Sequence, residues 1–340
     1  MHAQQLETTA AALVAPGKGI LAIDESTSTC KKRFDSIKVE SNEENRRAYR
    51  ELLIAVAGGG QYVSGMILYD ETIRQACADG TPFHEALKHQ GILTGIKVDT
   101  GSKKLAGAPG EQVTEGLDGL RERLAEYRSM GAAFAKWRAV INIGAGIPSS
   151  YCLDANAHAL ARYAALCQEA GLVPIVEPEV IMEGNHTIER CFEVTQAALQ
   201  TVFNTLFRQR VSLEHMVLKA SMVISGDKCS KQASVEEVAK QTVRCLKCTV
   251  PGAVPGVVFL SGGQSAEVAT AHLNAMNQLG PHPWPLSFSY GRALQEPALK
   301  TWKGQAANVA AAQKALLHRE KMNSLACYGK YTAQQEKAVA

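Results

Sequence analysis

The segment LVPIVEPEV, residues 172–180, decides the fold that we expect for this chain. It is a short apolar run with two carboxylates near its end, which is typical of a buried strand. Helical patterns flank it, ANAHALARYAALCQEAG (155–171) before it and IERCFEVTQAALQTVFNTLF (188–207) after it. Strands that alternate with helices pair in parallel, because parallel neighbours need a long crossover connection.

The same alternation recurs along most of the chain. Further helical patterns are NEENRRAYRELLIAVA, LDGLRERLAEYRSMG and SVEEVAKQTVRCLKC. Ser41 and Ser234 stand where helices should start, and Gly171 and Gly280 where helices should end. Seven further strand-like runs cover residues 19–24, 62–70, 94–99, 132–141, 214–223, 256–263 and 285–293.

Eight such units predict an α/β fold, a single-domain (β/α)8 TIM barrel. A doubly wound open sheet is the alternative. No linker or shift in composition divides the chain. We therefore expect residues 1–340 to form one domain, with a polar C-terminal tail from about residue 331.

The composition argues against nucleic-acid and membrane partners. The chain has 36 basic and 33 acidic residues, spread evenly, and a net charge of +3. No apolar run approaches the ~18 residues of a membrane helix, and the first residues lack a secretory pattern. Nine cysteines at irregular spacings fit a cytoplasmic location. Cys245 and Cys248 form a CxxC without a second ligand pair, so we expect no metal site there.

Charged side chains follow the apolar part of five expected strands. Residues two apart share a face of a strand, and a barrel of this class places its active site at the carboxyl ends of its strands. One such charge would simply reach solvent, but five strands together predict a half-buried cluster with four charges of each sign. The cluster consists of Lys97, Lys136, Arg138 and Lys219 with Asp24, Asp99, Glu177 and Glu179.

Lys219 is the candidate nucleophile, since it lies inside the apolar run MVLKASMV (216–223). A lysine in a partly apolar pocket near a second cation, here Lys136, has its pKa lowered, and its neutral amine can attack a ketone to form an imine. Glu177 could move the protons that this step needs, and Asp24 could remove a hydroxyl proton to start carbon–carbon cleavage. Alternatively, Lys219 is a snorkelling side chain paired with a carboxylate.

Two segments could bind anions. FLSGGQS (259–265) and SYGRA (289–293) close the last two strands, where barrels of this class bind phosphate. DESTSTCKKR (24–33) offers hydroxyls followed by cations, although it could equally be a helix N-cap and a solvated basic turn. Two anion sites beside an imine-forming lysine imply a sugar that is phosphorylated at both ends.

These segments closely resemble those of class I fructose-1,6-bisphosphate aldolases. The resemblance runs from about residue 10 to residue 332 and rests on APGKGILAIDEST, ENRRAYR, GIKVD, GLDGL, FAKWR, VPIVEPE, FLSGGQS and FSYGRAL, all in order. It implies a (β/α)8 barrel that uses no metal and no cofactor, usually assembles as a homotetramer, and reversibly cleaves fructose 1,6-bisphosphate into two triose phosphates in glycolysis and gluconeogenesis.

The resemblance also implies roles for single residues. Lys219 corresponds to the Schiff-base lysine, Glu177 to the acid/base with Glu179 as its neighbour, and Asp24 to the acid at the C4 hydroxyl. Lys136 and Arg138 correspond to the cations of FAKWR. The first phosphate site corresponds to Ser261, Gly262, Gly291 and Arg292, and the second to Ser26, Thr29, Lys97 and, near the same loop, Arg33.

The chain departs from the family pattern at two places. Ala220 follows the lysine where proline is familiar, and the chain ends in QQEKAVA where the animal enzymes have a tyrosine that protonates the enamine. Tyr328 and Tyr331 lie well before that point. We expect Glu177 or an ordered water to take over the proton transfer.

Three other functions remain open from the sequence. One is a transaldolase-like or keto-acid imine enzyme that needs one phosphate site or none. Another is a non-catalytic scaffold that binds sugar phosphates or a protein, for which Lys219 would be dispensable. A pyridoxal enzyme is the third, and no motif calls for that cofactor. The histidines form no HxxxH and no tight cluster, which argues against a zinc-dependent aldolase.

Overall fold

The structure, a computed structural model, describes residues 2–338, and its centre is a closed barrel of eight parallel strands. The first and last barrel strands pair directly, Ile20 beside Ser289, so the open-sheet alternative is wrong. The barrel strands are β1 (Gly19–Ala22), β2 (Val63–Leu68), β3 (Leu93–Lys97), β6 (Phe134–Ile141), β7 (Val173–Val180), β8 (Val217–Ala220), β9 (Val257–Phe259) and β10 (Leu286–Tyr290).

Helices surround the barrel and follow its strands. Four short 3-10 turns cover 59–61, 213–215, 306–308 and 333–338. The α-helices are α1 (Ala3–Leu13), α2 (Thr27–Asp35), α3 (Glu43–Ile54), α4 (Asp70–Ile73), α5 (Phe83–His89), α6 (Leu120–Ser129), α7 (Ser150–Ala170), α8 (Ile188–Arg208), α9 (Val235–Thr249), α10 (Ala266–Gln278), α11 (Arg292–Trp302) and α12 (Val309–Cys327).

All eight expected strands are present, and each is shorter than its apolar run. The difference lies mostly at the carboxyl ends, where the chain leaves the barrel before the run of strand-like residues ends. The run 214–223, for example, yields only Val217–Ala220, preceded by a 3-10 turn. Polar residues just beyond the strands therefore lie in loops around one mouth of the barrel, where a ligand can reach them.

Helix ends agree with the sequence at most expected positions. Ser234 caps α9 by accepting a hydrogen bond from the Glu237 amide, and Gly171 ends α7 in the left-handed region. Gly280 follows the end of α10 by two residues. The expected start at Ser41 is wrong, because the neighbouring Asn42 provides the cap through its side-chain oxygen.

An antiparallel hairpin after β3 was not expected from the sequence. It consists of β4 (Gly101–Lys104) and β5 (Gln112–Glu115). Neither strand is apolar, so the hydrophobic pattern that revealed the barrel strands does not mark them. The hairpin stands beside the mouth of the barrel, where Gly101 and Ser102 line the cavity described below.

The amino end of the barrel is closed by apolar packing. Leu6 and Leu13 of α1 pack against inward-facing residues of the strands, including Phe134 and Val217. A Cβ at Gly95 would overlap the ring of Phe134, so only glycine leaves room for that ring. Because apolar side chains fill this end, the polar cavity of the barrel lies at the carboxyl ends of the strands.

Candidate active site

The carboxyl ends of the strands surround a polar cavity of about 430 Å³. Every site residue expected from the sequence lines this cavity, although these residues come from seven strands or the loops that follow them. Other lining residues are Glu25, Glu183, Gly263 and Ser289. The expected residues are Asp24, Ser26, Thr29, Arg33, Lys97, Lys136, Arg138, Glu177, Glu179, Lys219, Ser261, Gly262, Gly291 and Arg292.

Glu177 connects the two buried lysines of the cavity. Its carboxylate lies 3.1 Å from Lys219 Nζ and 3.4 Å from Lys136 Nζ. Lys136 Nζ is also 2.7 Å from Asp24 Oδ2. The side chains of Lys136, Lys219 and Glu177 are at most 5% exposed, so these ion pairs are poorly screened by water. A row of ion pairs thus runs from Asp24 through Lys136 and Glu177 to Lys219.

This row of ion pairs fixes the ionisation states of Asp24 and Lys136. Burial alone would raise the pKa of the Asp24 carboxyl, but the ammonium groups of Lys136 and Lys219 hold it well below its usual range. Burial likewise acts to lower the pKa of Lys136, and the carboxylates of Asp24 and Glu177 outweigh it and raise that pKa. Asp24 is therefore a carboxylate and Lys136 an ammonium throughout the physiological pH range.

A second group of charges borders the hairpin side of the cavity. Lys97 Nζ lies 3.1 Å from Asp99 Oδ1, and Arg138 pairs with Glu179 through its Nε. Asp99 also accepts hydrogen bonds from the backbone amides of Gly101 and Arg138, at 3.1 and 3.3 Å. Asp99 thus fixes the start of the hairpin relative to β6, and it leaves Lys97 at the cavity wall.

The loops after β9 and β10 form one end of the cavity. Gly262 and Gly263 have φ of +54° and +90°, a left-handed region that favours glycine. Two helix N-termini follow, because α10 begins at Ala266 and α11 begins at Arg292. Helix N-termini and a nearby arginine favour a bound anion, so this end of the cavity can hold a phosphate group.

The segment 24–33 forms another part of the rim. Ser26 is the N-cap of α2 and accepts a hydrogen bond from the Thr29 amide at 3.4 Å. The helix-cap interpretation is therefore correct for this segment. It does not conflict with anion binding, since the Ser26 and Thr29 hydroxyls and the Arg33 guanidinium still line the cavity.

Sequence reasoning missed Ser289, Glu25 and Glu183 on the cavity wall. Ser289 is 1% exposed, and its hydroxyl has no hydrogen-bond partner within residues 2–338. The signal was present in SFSY, because Ser289 is a polar residue at the carboxyl end of β10, where the active site of such a barrel lies. By contrast, Ser221 does not accompany Lys219, since its hydroxyl bonds to the backbone of Val180.

The two tyrosines near the chain end lie away from the cavity. Tyr328 is half-exposed and contacts Gly17, which precedes β1 and so lies at the amino end of the barrel. The Tyr331 hydroxyl donates a hydrogen bond to Glu336 at 2.8 Å. Neither is among the residues that line the cavity.

The described part of the chain holds neither a metal-binding cluster nor a membrane-spanning helix. Over residues 2–338, no three or more His, Cys, Asp or Glu side chains are grouped to hold a metal ion. No helix in the same range is both long and apolar enough to cross a bilayer. Both cysteines of the CxxC lie in α9 and are free thiols, Cys245 buried and Cys248 exposed.

A closed (β/α)8 barrel with its charged cavity at the carboxyl ends of the strands defines the class of TIM-barrel enzymes. Comparison with known proteins narrows that class. Residues 5–340 match the family described as fructose-bisphosphate aldolase class-I. The chain therefore belongs to the class-I fructose-bisphosphate aldolase family, which confirms the resemblance and the expected enzyme class, a lyase.

Individual relatives are similar over nearly their whole length. A probable fructose-bisphosphate aldolase class 1 of Xanthomonas axonopodis pv. citri is 63% identical over 332 residues, 97% of this chain and 99% of that one. A fructose-bisphosphate aldolase of Dictyostelium discoideum is 55% identical over 98% of this chain and 94% of its own. The aldolase of Plasmodium falciparum, solved with TRAP and a small-molecule inhibitor, superposes with a TM-score of 0.96 at 51% identity, covering 97% and 96% of the two chains.

Proposed function

We propose that this chain cleaves fructose 1,6-bisphosphate to dihydroxyacetone phosphate and glyceraldehyde 3-phosphate, and runs the reverse condensation, through an imine on Lys219 without a metal ion. The observation that carries the proposal is the contact of one carboxylate, Glu177, with both Lys219 and Lys136 inside the cavity. An isolated buried lysine would only cost stability, whereas a lysine beside a proton carrier can react.

Imine formation begins with proton transfer from Lys219 to Glu177, which lie 3.1 Å apart. The free amine then adds to the C2 ketone of the open-chain sugar and forms a carbinolamine. Glu177 returns the proton to the carbinolamine hydroxyl, which leaves as water. Lys136 remains an ammonium, because its pKa is raised by Asp24 and Glu177 against the effect of burial, and it balances the charges that develop.

Carbon–carbon cleavage follows from the position of Asp24. Its carboxylate takes the proton of the C4 hydroxyl, the C3–C4 bond breaks, and the electron pair moves into the protonated imine to give an enamine. Glyceraldehyde 3-phosphate leaves at this point. The proton that Asp24 has taken up passes through water or Glu177 to the enamine carbon, which restores the Asp24 carboxylate. Hydrolysis of the resulting imine then releases dihydroxyacetone phosphate and restores Lys219.

The two ends of the substrate bind at different parts of the cavity wall. One phosphate binds where the loops after β9 and β10 bring two helix N-termini together. The other binds among hydroxyl and cationic groups after β1 and at the end of β3, with Glu179 holding Arg138. The assigned groups are Ser261, Gly262, Gly291 and Arg292 for the first phosphate, and Ser26, Thr29 and Lys97 for the second.

Further properties are proposed from the family. We propose that residues 1–340 form one domain, that the protein is a homotetramer in the cytoplasm, and that it serves glycolysis and gluconeogenesis. Light scattering at micromolar concentration tests the assembly, and a mass equal to one chain would contradict it. Full activity after dialysis against EDTA is expected, and its loss with recovery on adding zinc would contradict the metal-free mechanism.

Borohydride trapping tests the central step. Incubation with dihydroxyacetone phosphate and reduction should attach one triose phosphate to Lys219, as read from intact and peptide masses. The adduct should be absent in Lys219→Met and persist in Lys300→Met, which removes an exposed lysine of α11. No adduct on the wild-type chain, with the sugar phosphate shown to bind, would rule out the imine.

A further inference from the structure

Gln295 is a fully buried amide that none of the roles above uses. It lies in the first turns of α11 and is 0% exposed. Its Nε2 donates hydrogen bonds to the Ala22 carbonyl at 2.5 Å and to Glu25 Oε1 at 2.8 Å. Its Oε1 accepts hydrogen bonds from the Tyr49 hydroxyl at 3.1 Å and from Arg33 Nη1 at 3.2 Å. The whole capacity of the amide is thereby used.

The partners of Gln295 also fix the orientation of its amide. The Ala22 carbonyl and the Glu25 carboxylate can only accept, so they must face the nitrogen. The Arg33 guanidinium can only donate, so it must face the oxygen. A flipped amide would place donor against donor and acceptor against acceptor in a buried site, which is strongly unfavourable. Gln295 therefore offers Arg33 a single fixed acceptor.

Arg33 is held at its Nη1 by Gln295 and Glu25, and its Nη2 makes neither contact. Glu25 pairs with it, and Glu25 is itself fixed by Arg50 Nη1 at 2.6 Å. Because Glu25 is shared between two guanidinium groups, it does not neutralise both. The Arg33 side chain stays 22% exposed, and its Nη2 lies 3.9 Å from the point where a Cβ of Gly291 would be. Its free edge thus points to the loop after β10.

We propose that Gln295 is a positioning residue, which holds the Arg33 guanidinium beside Gly291 so that Arg33 binds the first phosphate, at the ends of β9 and β10. This inference rests on the proposed function. It moves Arg33 from the second phosphate site, where the family resemblance suggested it, to the first. Helix α11 then contributes two residues to this phosphate site. Arg292 binds the phosphate from the start of the helix, and Gln295 holds Arg33 in place.

The physical gain is one of pre-organisation. A free arginine side chain loses conformational entropy when it is fixed on a ligand. In this structure that entropy is already lost in the folded chain, through Gln295 and Glu25. Removal of the Gln295 amide should weaken phosphate binding without changing the groups that touch the reacting carbon atoms.

The test compares Gln295→Met with the wild-type chain on fructose 1,6-bisphosphate and on fructose 1-phosphate. We assign the phosphate on C1 to the first site, because C1 adjoins the C2 carbon that Lys219 attacks and β8 pairs with β9. KM should rise about tenfold for both sugars, as expected for loss of one charge-assisted contact, with kcat within about twofold. In an Arg33→Met background, the same Gln295 substitution should have no further effect on KM. An increase confined to the bisphosphate, or additive effects of the two substitutions, would overturn the proposal.

Control variants separate positioning from general damage. Tyr49→Phe removes the other donor to Oε1 and leaves Arg33 in place, so its KM should stay within about twofold of the wild-type value. Should Gln295→Met fail to fold, Gln295→Asn replaces it, because the shorter amide cannot reach Arg33. An unchanged KM in a folded Gln295 variant contradicts the inference.

Binding of inorganic phosphate separates failure of this inference from failure of the proposed function. Phosphate should raise the melting temperature of the wild-type chain, and a smaller increase is expected for Gln295→Met. If the wild-type chain cleaves neither sugar but shows this difference, the positioning role stands and the aldolase mechanism fails. Equal increases in both proteins would overturn the positioning role, whatever the activity.

Discussion

At the scale of single residues, Glu177 stands out because it lies between the two buried lysines. Glu177 touches both lysines, and within residues 2–338 its Oε2 has no hydrogen-bond partner beside the 3.4 Å contact with Lys136. A carboxylate beside a lysine amine can accept and return a proton, whereas Glu179 is paired with Arg138, whose guanidinium does not give up its proton. The chemistry should therefore be sensitive to Glu177 more than to its neighbour two residues later.

Glu177→Gln keeps the shape of the side chain and removes its ability to carry a proton. We expect kcat for fructose 1,6-bisphosphate cleavage to fall by ~10²–10⁴. Exchange of the enamine proton of dihydroxyacetone phosphate with solvent should fall as well, since we assign that transfer to Glu177 or its water. Steady-state kinetics and tritium exchange measure the two effects. Glu183→Gln, on the cavity rim, is the matched control, and full activity of Glu177→Gln would refute the assignment.

At the scale of elements, α12 carries a buried carboxyl that has no partner. Glu320 is 0% exposed, and neither of its oxygens has a hydrogen-bond partner within the described residues 2–338. Burial raises the pKa of Glu320 to about 8. The folded chain therefore keeps a proton on Glu320 over a pH range in which the unfolded chain has lost it.

This difference in proton binding predicts how stability changes with pH. Between the ordinary glutamate pKa near 4.5 and the raised pKa of about 8, the unfolded chain binds fewer protons than the folded one. The free energy of unfolding should thus fall as pH rises, by up to ~1.4 kcal/mol per pH unit from this group alone.

Glu320→Gln, which is neutral at every pH, should remove this part of the dependence. Urea unfolding at pH 5.5, 6.5 and 7.5 measures the slope for variant and wild type, with Glu7→Gln on the exposed face of α1 as control. Parallel slopes for Glu320→Gln and the wild-type chain would show that Glu320 does not titrate in this range.

At the scale of the whole molecule, residues 331–336 pack against the helices outside the barrel. Glu336 accepts hydrogen bonds from Arg319 Nη1 at 2.5 and 2.6 Å and from the Tyr331 hydroxyl. Arg319 is 2% exposed and also donates to Thr270 Oγ1 of α10. One ion pair thus joins the chain end, α12 and α10, although the segment looks like a polar tail in the sequence.

Glu336→Gln should cost ~3 kcal/mol of the free energy of unfolding, since it leaves the buried Arg319 charge without compensation. Lys337→Gln changes the exposed neighbour and should cost less than ~0.5 kcal/mol. Equilibrium urea unfolding measures both. Limited proteolysis should cut the end of the Glu336 variant faster, and unchanged stability with unchanged cleavage would mean that the pair is not formed in solution.

The sequence by itself determined the barrel and the membership of the cavity. Hydrophobic period and helix caps are local, so the eight strands and most helix ends could be read from the residues near them. The alternation of side chains and the rule that loops follow the carboxyl ends placed Asp24, Lys136, Glu177 and Lys219 on one mouth. The β4–β5 hairpin was missed because its strands have no apolar face. The cap at Asn42 was missed because Ser41 beside it is an equally good capping residue.

Only the tertiary structure decided which charges meet. Nothing in the sequence states that Glu177 would bridge Lys219 and Lys136, that Asp99 would fix the hairpin, or that Arg319 would bind the chain end. Gln295 and Arg33 are 262 residues apart in the chain, and they meet because barrel closure brings β10 beside β1. Ion pairs and hydrogen bonds act over a few ångströms, so they depend on the register of closure, which no local pattern encodes.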